Sequence, residues 1–381
     1  ARSNEVKALG IPMGAPVFKF KDIISGNNVQ IFSANFHLYG DISRRLTQLL
    51  SKQAPAIEVY SIDESFLDIS DIPMSDVEKW GETLVRRVFR DIGIPVSIGI
   101  GPTKTLAKLA SELAKKDQKG NGVKITTADD PELKEVRVED IWGIGRKNAP
   151  KLRARNIGNA YEITQSNKST IRSILGSIVG ERIFLELSGT PCYEIESTNK
   201  PQKVISATRT FGHDTDQAYV VESALADLTA RACHNLRKDR QLARKISIFV
   251  SSNRFKESYT SSSQSIRLSY GSSNNGQLIA HANQLFSELY DPNTSYHRAG
   301  VILTELVPNN SFNQIDLIYP DKSLAQITKN KLMEDFDNIN NRYGRGKIHY
   351  ATQDISKDWL PRKNRVTQAY TTNWDELPKI H

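Results

Sequence analysis

The sequence has few of the features that mark secreted, disulfide-bonded or membrane-spanning proteins. Its two cysteines, Cys192 and Cys233, exclude a disulfide framework and a cysteine-based zinc site. No apolar run reaches the roughly 18 residues of a transmembrane helix, and no secretory signal peptide is visible. We therefore expect a protein of the reducing cytoplasm with no membrane segment.

The chain is basic. Its 51 lysines and arginines outnumber 43 acidic residues, which gives a net charge of +8 and a pI near 9.2. This balance favours an anionic partner, either nucleic acid or a membrane surface, although many proteins are mildly basic. The basic residues are spread over predicted folded elements, which argues against a membrane-surface protein. A chain of 381 residues is too long for one core and predicts several domains.

Strand and helix patterns alternate in the first 125 residues. Two apolar, β-prone runs, Ala56–Tyr60 and Ser65–Ile69, flank Ser61–Glu64 and predict a hairpin with two acids at its tip. Strands and helices that share one compact sheet predict an α+β domain. The following predicted elements are a helix over 76–92, a strand over 95–100, a helix over 103–116 capped by Thr103 or Thr105, and a strand over 123–125.

The second half of the chain changes pattern twice. Residues 126–194 predict helices with short connections, and the polar residues 195–202 predict an exposed linker. From residue 203 the order of elements is β-α-β-β-α-β, which predicts a ferredoxin-like module. Beyond residue 308 the chain is polar, and we expect short helices and extended arms.

The adjacent carboxylates Asp63 and Glu64 are the strongest local signal for chemistry. Carboxylate oxygens suit Mg²⁺, and flanking strands could aim the pair, although most Asp-Glu pairs are solvated turns. Lys104, Lys108 and Lys115 follow at spacings of four and seven residues, close to one helical face. They could meet phosphate charge, or they could form a solvated basic face. The spacing of a Walker A loop is absent.

Three motifs stand in order: YSIDE followed by FLDI, then SIGIGPTKTLAKLAS, then DIWGIGRK. Together they resemble the Y-family DNA polymerases. The C-terminal stretches NNRYGRGKIHYATQDI and YTTNWDELP resemble the UmuC branch of that family. The resemblance runs from Ala1 to about Pro378. It implies an α+β right-hand polymerase with partial palm and fingers, a helical thumb with a helix-hairpin-helix, and a ferredoxin-like βαββαβ little finger.

The resemblance also implies a division into domains. We expect partial fingers over 1–35, a partial palm over 36–125, a thumb over 126–194, a linker over 195–202, a little finger over 203–308 and a C-terminal tail over 309–381.

By similarity, Asp63 bridges two Mg²⁺ ions and Glu64 serves the ion nearer the primer 3′-oxygen. Lys115 matches a lysine that meets the triphosphate of the incoming dNTP. Lys7 occupies a fingers position where many relatives carry arginine, so the charge is kept and the bidentate fork is lost. Asn4 stands where many relatives have tyrosine.

The family's first strand carries an aspartate ligand, a backbone carbonyl ligand and an aromatic gate against ribose. Ala1 already matches a later part of the fingers, so we expect the chain as printed to be inactive and the full-length protein to be the enzyme. Asp41 and Asp68 are conceivable substitutes. Asp68 lies five residues past Asp63 along a strand, which is too far for a shared site.

Two groups of residues are expected to contact DNA phosphates. In the thumb turn, Gly143 and Gly145 allow a phosphate to approach backbone N–H groups, and Arg146 and Lys147 add charge. The second group is the basic cluster of the little finger, which only Asp239 opposes and whose DNA binding would weaken with salt. Its members are Arg237, Lys238, Arg240, Arg244 and Lys245. For each member, a solvated charged loop is the alternative.

A pentapeptide in the tail resembles the sliding-clamp-binding motif of bacteria, in which an aliphatic or aromatic pair fills a shallow pocket. It consists of Gln314, Ile315, Asp316, Leu317 and Ile318.

The resemblance implies an error-prone translesion DNA polymerase of the SOS response. Its expected partners are primer–template DNA, dNTP, the sliding clamp, a UmuD-like subunit and RecA. The alternative is a non-catalytic protein that binds DNA and the clamp.

Overall fold

The computed structural model describes residues 1–117, 120–196, 201–309, 320–353, 357–361 and 363–377, apart from the side chains of residues 177 and 320–330. The chain forms two compact units: residues 1–199 together with 365–381, and residues 200–364. No helix in the described ranges is long and apolar enough to cross a membrane.

The first unit is mainly helical. Its helices are α1 (Asn4–Ala8), α2 (Lys21–Gly26), α3 (Phe36–Leu50), α4 (Met74–Ile92), α5 (Lys104–Lys116), α6 (Ala149–Arg153), α7 (Ala160–Gln165), α8 (Lys168–Leu175) and α9 (Ser177–Leu187). Its strands are β1 (Ile57–Val59), β2 (Ser65–Leu67), β3 (Ile98–Ile100) and β4 (Val123–Ile125). Single 3₁₀ turns span Val17–Phe20, Pro131–Glu135, Val138–Asp140 and Trp374–Glu376.

The expectation of one compact sheet in this unit was wrong for the described residues. Strands β1 and β2 form an antiparallel hairpin, whereas β3 and β4 form a separate parallel pair joined through α5. A cavity of about 1020 Å³, lined by residues of both strand pairs and of α5, lies beside them. Each strand is only three residues long, so few ladder hydrogen bonds are available to join the two pairs.

Helix α5 packs very closely on β3. A Cβ added at Gly99 would lie 2.0 Å from the Ala107 carbonyl oxygen and 2.1 Å from the Ser111 amide nitrogen, so only glycine fits there. The helix begins after Thr103, whose hydroxyl accepts a hydrogen bond from the Leu106 amide at 3.2 Å. Thr103, rather than Thr105, is therefore the cap.

One apolar core joins α5 to the helices that follow β4. It contains Leu106 and Leu109 from α5, and Leu133, Leu152 and Ile163 from the later turns and helices, all buried. The hairpin contributes no residue to this buried core.

The second unit has the predicted β-α-β-β-α-β order. Its elements are β5 (Ile205–Thr215), α10 (Ala218–Lys238), β6 (Gln241–Ser251), β7 (Ser261–Ser272), α11 (Asn275–Leu289) and β8 (Tyr296–Pro308), followed by α12 (Pro320–Tyr343). The four strands form one sheet in the order β5-β8-β6-β7, antiparallel throughout. Its strands and the helices α10 and α11 enclose a continuous apolar core.

The residues after β8 contribute to both units. In the second unit, Met333 of α12 and Trp359 are almost fully buried, and Lys357 pairs with Asp227 of α10 at 2.8 Å. In the first unit, residues 365–377 lie against the segment before α3, where the Ser33 amide donates to the Arg365 carbonyl oxygen at 2.9 Å.

Candidate active site

The predicted hairpin is present and carries both acids at its tip. Glu58 pairs with Phe66 across the two strands, and the amides of Tyr60 and Ser61 both donate to the Glu64 carbonyl oxygen, at 3.1 and 3.0 Å. These bonds close a tight turn, so the positions of the two acids are fixed by backbone geometry.

Asp63 and Glu64 stand in different surroundings. The Asp63 side chain is exposed, and the Ser61 hydroxyl donates to it at 2.5 Å. The Glu64 carboxylate accepts two hydrogen bonds from the Lys108 ammonium, both at 2.8 Å. The lysine-bearing helix therefore lies directly beside the acidic tip.

A second ion pair fastens the hairpin to α5 further from the tip. The Lys104 ammonium, only 7% exposed, lies 2.5 Å from a carboxylate oxygen of Glu58. That same oxygen accepts from the Glu196 amide at 2.7 Å. A buried charge is tolerated only when it is paired, so Lys104 serves the fold rather than a substrate.

Aromatic rings surround these lysines, a feature that the sequence analysis missed. Trp142 lies with its ring centroid 5.5 Å from that of Tyr60 and 5.8 Å from that of Phe66, and its Nε1 donates to the Tyr60 hydroxyl at 3.0 Å. The Lys108 ammonium lies 4.9 Å from the Tyr60 ring centroid, within cation–π range. The sequence feature that could have indicated this cluster is Trp142, which stands directly before the Gly143–Gly145 turn.

The other two lysines of the predicted site are not joined to the acidic tip. Lys115 is exposed, and its ammonium pairs with Glu112 of the same helix at 2.7 Å. Lys7 is exposed on α1, and among the described residues no hydrogen bond or ion pair connects it to the hairpin.

The two alternative aspartates are occupied elsewhere. Asp68 accepts hydrogen bonds from the Ser70 hydroxyl at 2.6 Å and the Ser70 amide at 3.0 Å, and these bonds lower its pKa. Asp41 is buried and paired with Arg44 and Arg45. Its pKa is lowered mainly by the neighbouring Thr371 side chain and further by Arg45 and Arg44, against the opposing effect of burial.

The turn at Gly143–Gly145 has the exposed backbone that the sequence predicts. Gly143 adopts a left-handed conformation with φ of +91°, which favours glycine. Gly145, Arg146 and Lys147 are exposed, and nothing lies within 4 Å of where a Cβ on Gly145 would be. Neither Arg146 nor Lys147 forms an ion pair with a described residue.

The statement that only Asp239 opposes the basic cluster was wrong. Arg237 forms a bidentate pair with Asp337 of α12, at 2.6 and 2.8 Å, and also donates to the Ser273 carbonyl oxygen and the Asn275 side chain. Its side chain is only 10% exposed. These four donor contacts show that Arg237 stabilises the fold. The sequence did not indicate this role, because Asp337 lies 100 residues away along the chain.

The other cluster members are more accessible. Lys238, Arg240 and Arg244 are exposed, and Lys245 is half-buried on β6. Arg240 closes the α10–β6 turn in a left-handed conformation with φ of +52°.

Three further candidate sites are the clamp-binding pentapeptide, a metal site made by the protein alone, and a nucleophilic cysteine. The clamp-binding pentapeptide Gln314–Ile318 lies outside the described residues. Within the described part of the chain, no group of three or more His, Cys, Asp or Glu side chains could hold a metal ion alone. Cys233 is no candidate nucleophile, because burial raises its pKa to about 12.

Comparison with known proteins decides the family. Residues 1–112 match the impB/mucB/samB family, and residues 202–317 match the C-terminal domain of that family. Protein UmuC of Salmonella typhimurium is 32% identical over 387 residues, which cover 100% of this chain and 91% of the relative. Protein SamB of the same organism is 33% identical over 387 residues, covering 99% and 90%.

The chain belongs to the impB/mucB/samB family.

A solved structure gives this family its fold. A Y-family DNA polymerase chimera, Dbh-Dpo4(243-245)-Dbh, superposes with a TM-score of 0.64 at 24% identity, covering 81% of this chain and 87% of the other. The predicted α+β polymerase fold is therefore confirmed. This member of the impB/mucB/samB family is a DNA polymerase of the Y family. Polymerases of this class copy damaged templates with low fidelity. They depend on divalent metal ions.

Residues 330–380 of this family member match a domain of unknown function, DUF4113. Part of that domain packs in the second unit, through Met333 and Trp359, and its last part packs in the first unit, beside Ser33.

Proposed function

We propose that Asp63 and Glu64 bind the two Mg²⁺ ions of a template-directed polymerase site. The observation that carries this proposal is the hairpin tip, which presents two adjacent carboxylates beside a lysine-bearing helix, with Asp63 exposed and Glu64 2.8 Å from the Lys108 ammonium. The same arrangement supports dNTP as the substrate, because a triphosphate brings both negative charge and oxygen ligands to the tip.

The donor set fits Mg²⁺. This ion is usually held by one or two carboxylates, with substrate phosphates and water completing the octahedron, so Asp63 and Glu64 fit as part of the protein's share of the ligands. Bound Mg²⁺ would lower the pKa of the primer 3′-hydroxyl and stabilise the leaving pyrophosphate.

The lysines of α5 have separate tasks in this proposal. Lys108 balances the charge of Glu64 at 2.8 Å, which keeps the carboxylates from repelling each other before a cation binds. Lys115 is exposed two turns further along the helix, where its ammonium is available to a triphosphate if the contact with Glu112 opens. Lys7 on α1 would add charge from the fingers.

We further propose that DNA phosphates are bound at two places. The first is the turn of Gly143, Gly145, Arg146 and Lys147 in the first unit. The second is the basic cluster of the second unit, in which Arg237 positions α12 while Lys238, Arg240, Arg244 and Lys245 face the DNA. Phosphate contacts of this kind predict steep salt dependence and little sequence preference.

Several finer assignments belong to the same proposal. They are the domain boundaries given by the motifs, a cytoplasmic location, clamp binding by Gln314–Ile318, and association with a UmuD-like subunit and RecA. The 32% identity to Protein UmuC supports them, since it extends over all of this chain.

The test is primer extension with the Asp63→Ala variant of the full-length protein. Losing a metal ligand removes several kcal/mol of transition-state stabilisation, so we expect the rate to fall by about 10³-fold or more. Asp68→Asn is the matched control, because Asp68 directly follows the same hairpin and its carboxylate accepts hydrogen bonds from Ser70 alone among the described residues.

The two variants together decide the assignment. We expect Asp68→Asn to extend primers within a few-fold of wild type, as surface changes do. If Asp63→Ala retained wild-type activity, Asp63 would not be a metal ligand and the proposed site would be wrong.

A further inference from the structure

Trp142 lies between the carboxylate hairpin and the proposed phosphate-binding turn. Its neighbours Ile141 and Ile144 are buried in the helical core, and the Ile144 amide donates to the Ile141 carbonyl oxygen at 3.0 Å. The turn is thus anchored on both sides of the tryptophan. The indole itself is half-buried and faces the hairpin rather than the core.

The indole contacts the hairpin through both strands. It meets Tyr60 edge-on, with the ring planes at 90° and centroids 5.5 Å apart, and it meets Phe66 at 5.8 Å. Tyr193 covers another side of the indole at 5.4 Å. The hydrogen bond from Trp142 to the Tyr60 hydroxyl, at 3.0 Å, gives this packing a single orientation.

Lys108 extends the same arrangement to the acidic pair. Its ammonium lies 4.9 Å from the Tyr60 ring centroid and 5.9 Å from that of Trp142, while it donates to both oxygens of Glu64. A displaced indole would therefore release both the strand that leads to Asp63 and the ammonium that orients Glu64.

We propose that Trp142 is a positioning residue that couples DNA binding at the thumb turn to the placement of Asp63 and Glu64. Gly143 follows Trp142 directly, so a phosphate bound at the turn fixes the backbone next to the indole. Ile141 and Ile144 are buried on either side of Trp142 and Gly143, so the indole and the turn form one short rigid segment. A change in the position of the turn therefore changes the position of the indole. The consequence is that DNA should strengthen metal binding at the hairpin, and by linkage metal should strengthen DNA binding.

This inference rests on the proposed function, and its test uses a readout that needs no turnover. Mn²⁺ binding to the full-length protein is measured by electron paramagnetic resonance, with and without a primer–template duplex whose primer ends in a dideoxynucleotide. The single-turnover rate constant and the dissociation constant for DNA are measured in parallel. The variants are Trp142→Leu, Trp142→Phe and Tyr60→Phe, and Trp374→Leu serves as the control because Trp374 is 88% exposed.

For Trp142→Leu we expect the single-turnover rate constant to fall by about 10- to 100-fold, as a small misplacement of catalytic groups does. We expect the DNA-induced tightening of Mn²⁺ binding to disappear, while the DNA affinity measured without divalent metal stays within about threefold of wild type. Tyr60→Phe removes one neutral hydrogen bond and should cost about two- to tenfold in rate. Trp142→Phe keeps a ring and should fall between wild type and Trp142→Leu.

The inference is overturned if Trp142→Leu matches Trp374→Leu in rate and in Mn²⁺ coupling. It is also overturned if the rate falls only in proportion to DNA affinity, since Trp142 would then act on DNA binding alone. Should Trp142→Leu fail to fold, unchanged rate and coupling in both phenylalanine variants would overturn it. A dead Asp63→Ala beside a normal Trp142→Leu would reject only this inference, whereas an active Asp63→Ala would reject the proposed site itself.

Discussion

The carboxylate hairpin of the first unit and the four-stranded sheet of the second unit are attached in different ways. The strands of the hairpin have three residues each, and none of those residues is fully buried. The strands of the sheet have 11 to 13 residues, and each of them contributes buried residues to a continuous apolar core. The hairpin is held by two ion pairs to α5 and by the rings around Trp142.

The difference agrees with the roles proposed for the two regions. Carboxylates that are to exchange metal and nucleotide have to face water, so directional contacts rather than burial must hold them in place. A sheet that is to bind DNA phosphates needs only a rigid exposed face, which an apolar core on its other side provides. The hairpin should therefore be sensitive to single polar changes, and the sheet to changes of core volume.

The largest effect is expected at a tightly packed glycine in each unit, Gly99 in the first and Gly300 in the second. In Gly99→Ala the new Cβ would lie 2.0 Å from the Ala107 carbonyl oxygen, a backbone atom that cannot move without moving α5. In Gly300→Ala it would lie 2.3 Å from Phe249 Cε1, in a side chain. We expect Gly99→Ala to cost more than about 4 kcal/mol and Gly300→Ala about 1–3 kcal/mol.

Hydrogen exchange checks this prediction unit by unit. Gly99→Ala should expose the amides of α5 and leave those of α10 protected. Equal protection of α5 in wild type and Gly99→Ala would mean that the close approach of β3 and α5 is not required.

A smaller effect is expected from the ion pair that fastens the hairpin. Lys104→Met leaves Glu58 charged, with a side chain only 15% exposed, so we expect a loss of about 3–5 kcal/mol in the free energy of unfolding of the first unit. The double variant Lys104→Met/Glu58→Gln removes the unpaired charge and keeps an acceptor for the Glu196 amide. Denaturant unfolding should show that the double variant recovers most of the loss. If it were no more stable than the single variant, the pair would not be electrostatically coupled.

In the second unit, the ion pair between Arg237 and Asp337 predicts that the free energy of unfolding depends on pH. Burial alone would raise the pKa of Asp337, but hydrogen bonds and charge from Arg237, with a further contribution from His234, lower it below its usual value. A lowered carboxyl pKa adds stability that is present above the unfolded pKa, near 4, and is lost as pH falls through the folded pKa.

Asp337→Asn tests this linkage. We expect it to lose about 2 kcal/mol at neutral pH, because hydrogen bonds to a charged partner are replaced, and to approach wild type near about pH 3. Urea unfolding at both values of pH measures the difference. A gap between the two proteins that stayed constant with pH would show that Asp337 is not the titrating group.

Sequence reasoning worked where the signal was local. The hairpin, a cap for α5 at Thr103 or Thr105, and the β-α-β-β-α-β order were each predicted from local patterns, and the structure contains all three, with Thr103 as the cap. It failed where the partners lie far apart in the chain: Trp142 meets Tyr60 across 82 residues, Lys104 meets Glu58 across 46, and Arg237 meets Asp337 across 100. Periodicity reports which face of an element is apolar, but not which distant side chain covers it.

The smallest effect is expected at Asn35, where a single polar side chain connects two segments of the first unit. Its Oδ1 accepts from the Leu38 amide at 3.2 Å and caps α3, while its Nδ2 donates to the carbonyl oxygen of Thr367 at 3.0 Å. Asn35→Asp keeps the cap and loses the donor, whereas Asn35→Ala loses both. We expect Asn35→Ala to cost about 1 kcal/mol, the usual value of a helix cap.

Hydrogen exchange separates the two roles of Asn35. Both variants should speed exchange in residues 365–377, because both remove the donor to Thr367, and only Asn35→Ala should also loosen the first turn of α3. If Asn35→Asp left residues 365–377 as protected as in wild type, the Ser33–Arg365 contact at 2.9 Å would be enough to fix them. In that case no single side chain would determine where residues 365–377 lie. The first unit would then depend less on individual polar contacts than the comparison with the second unit implies.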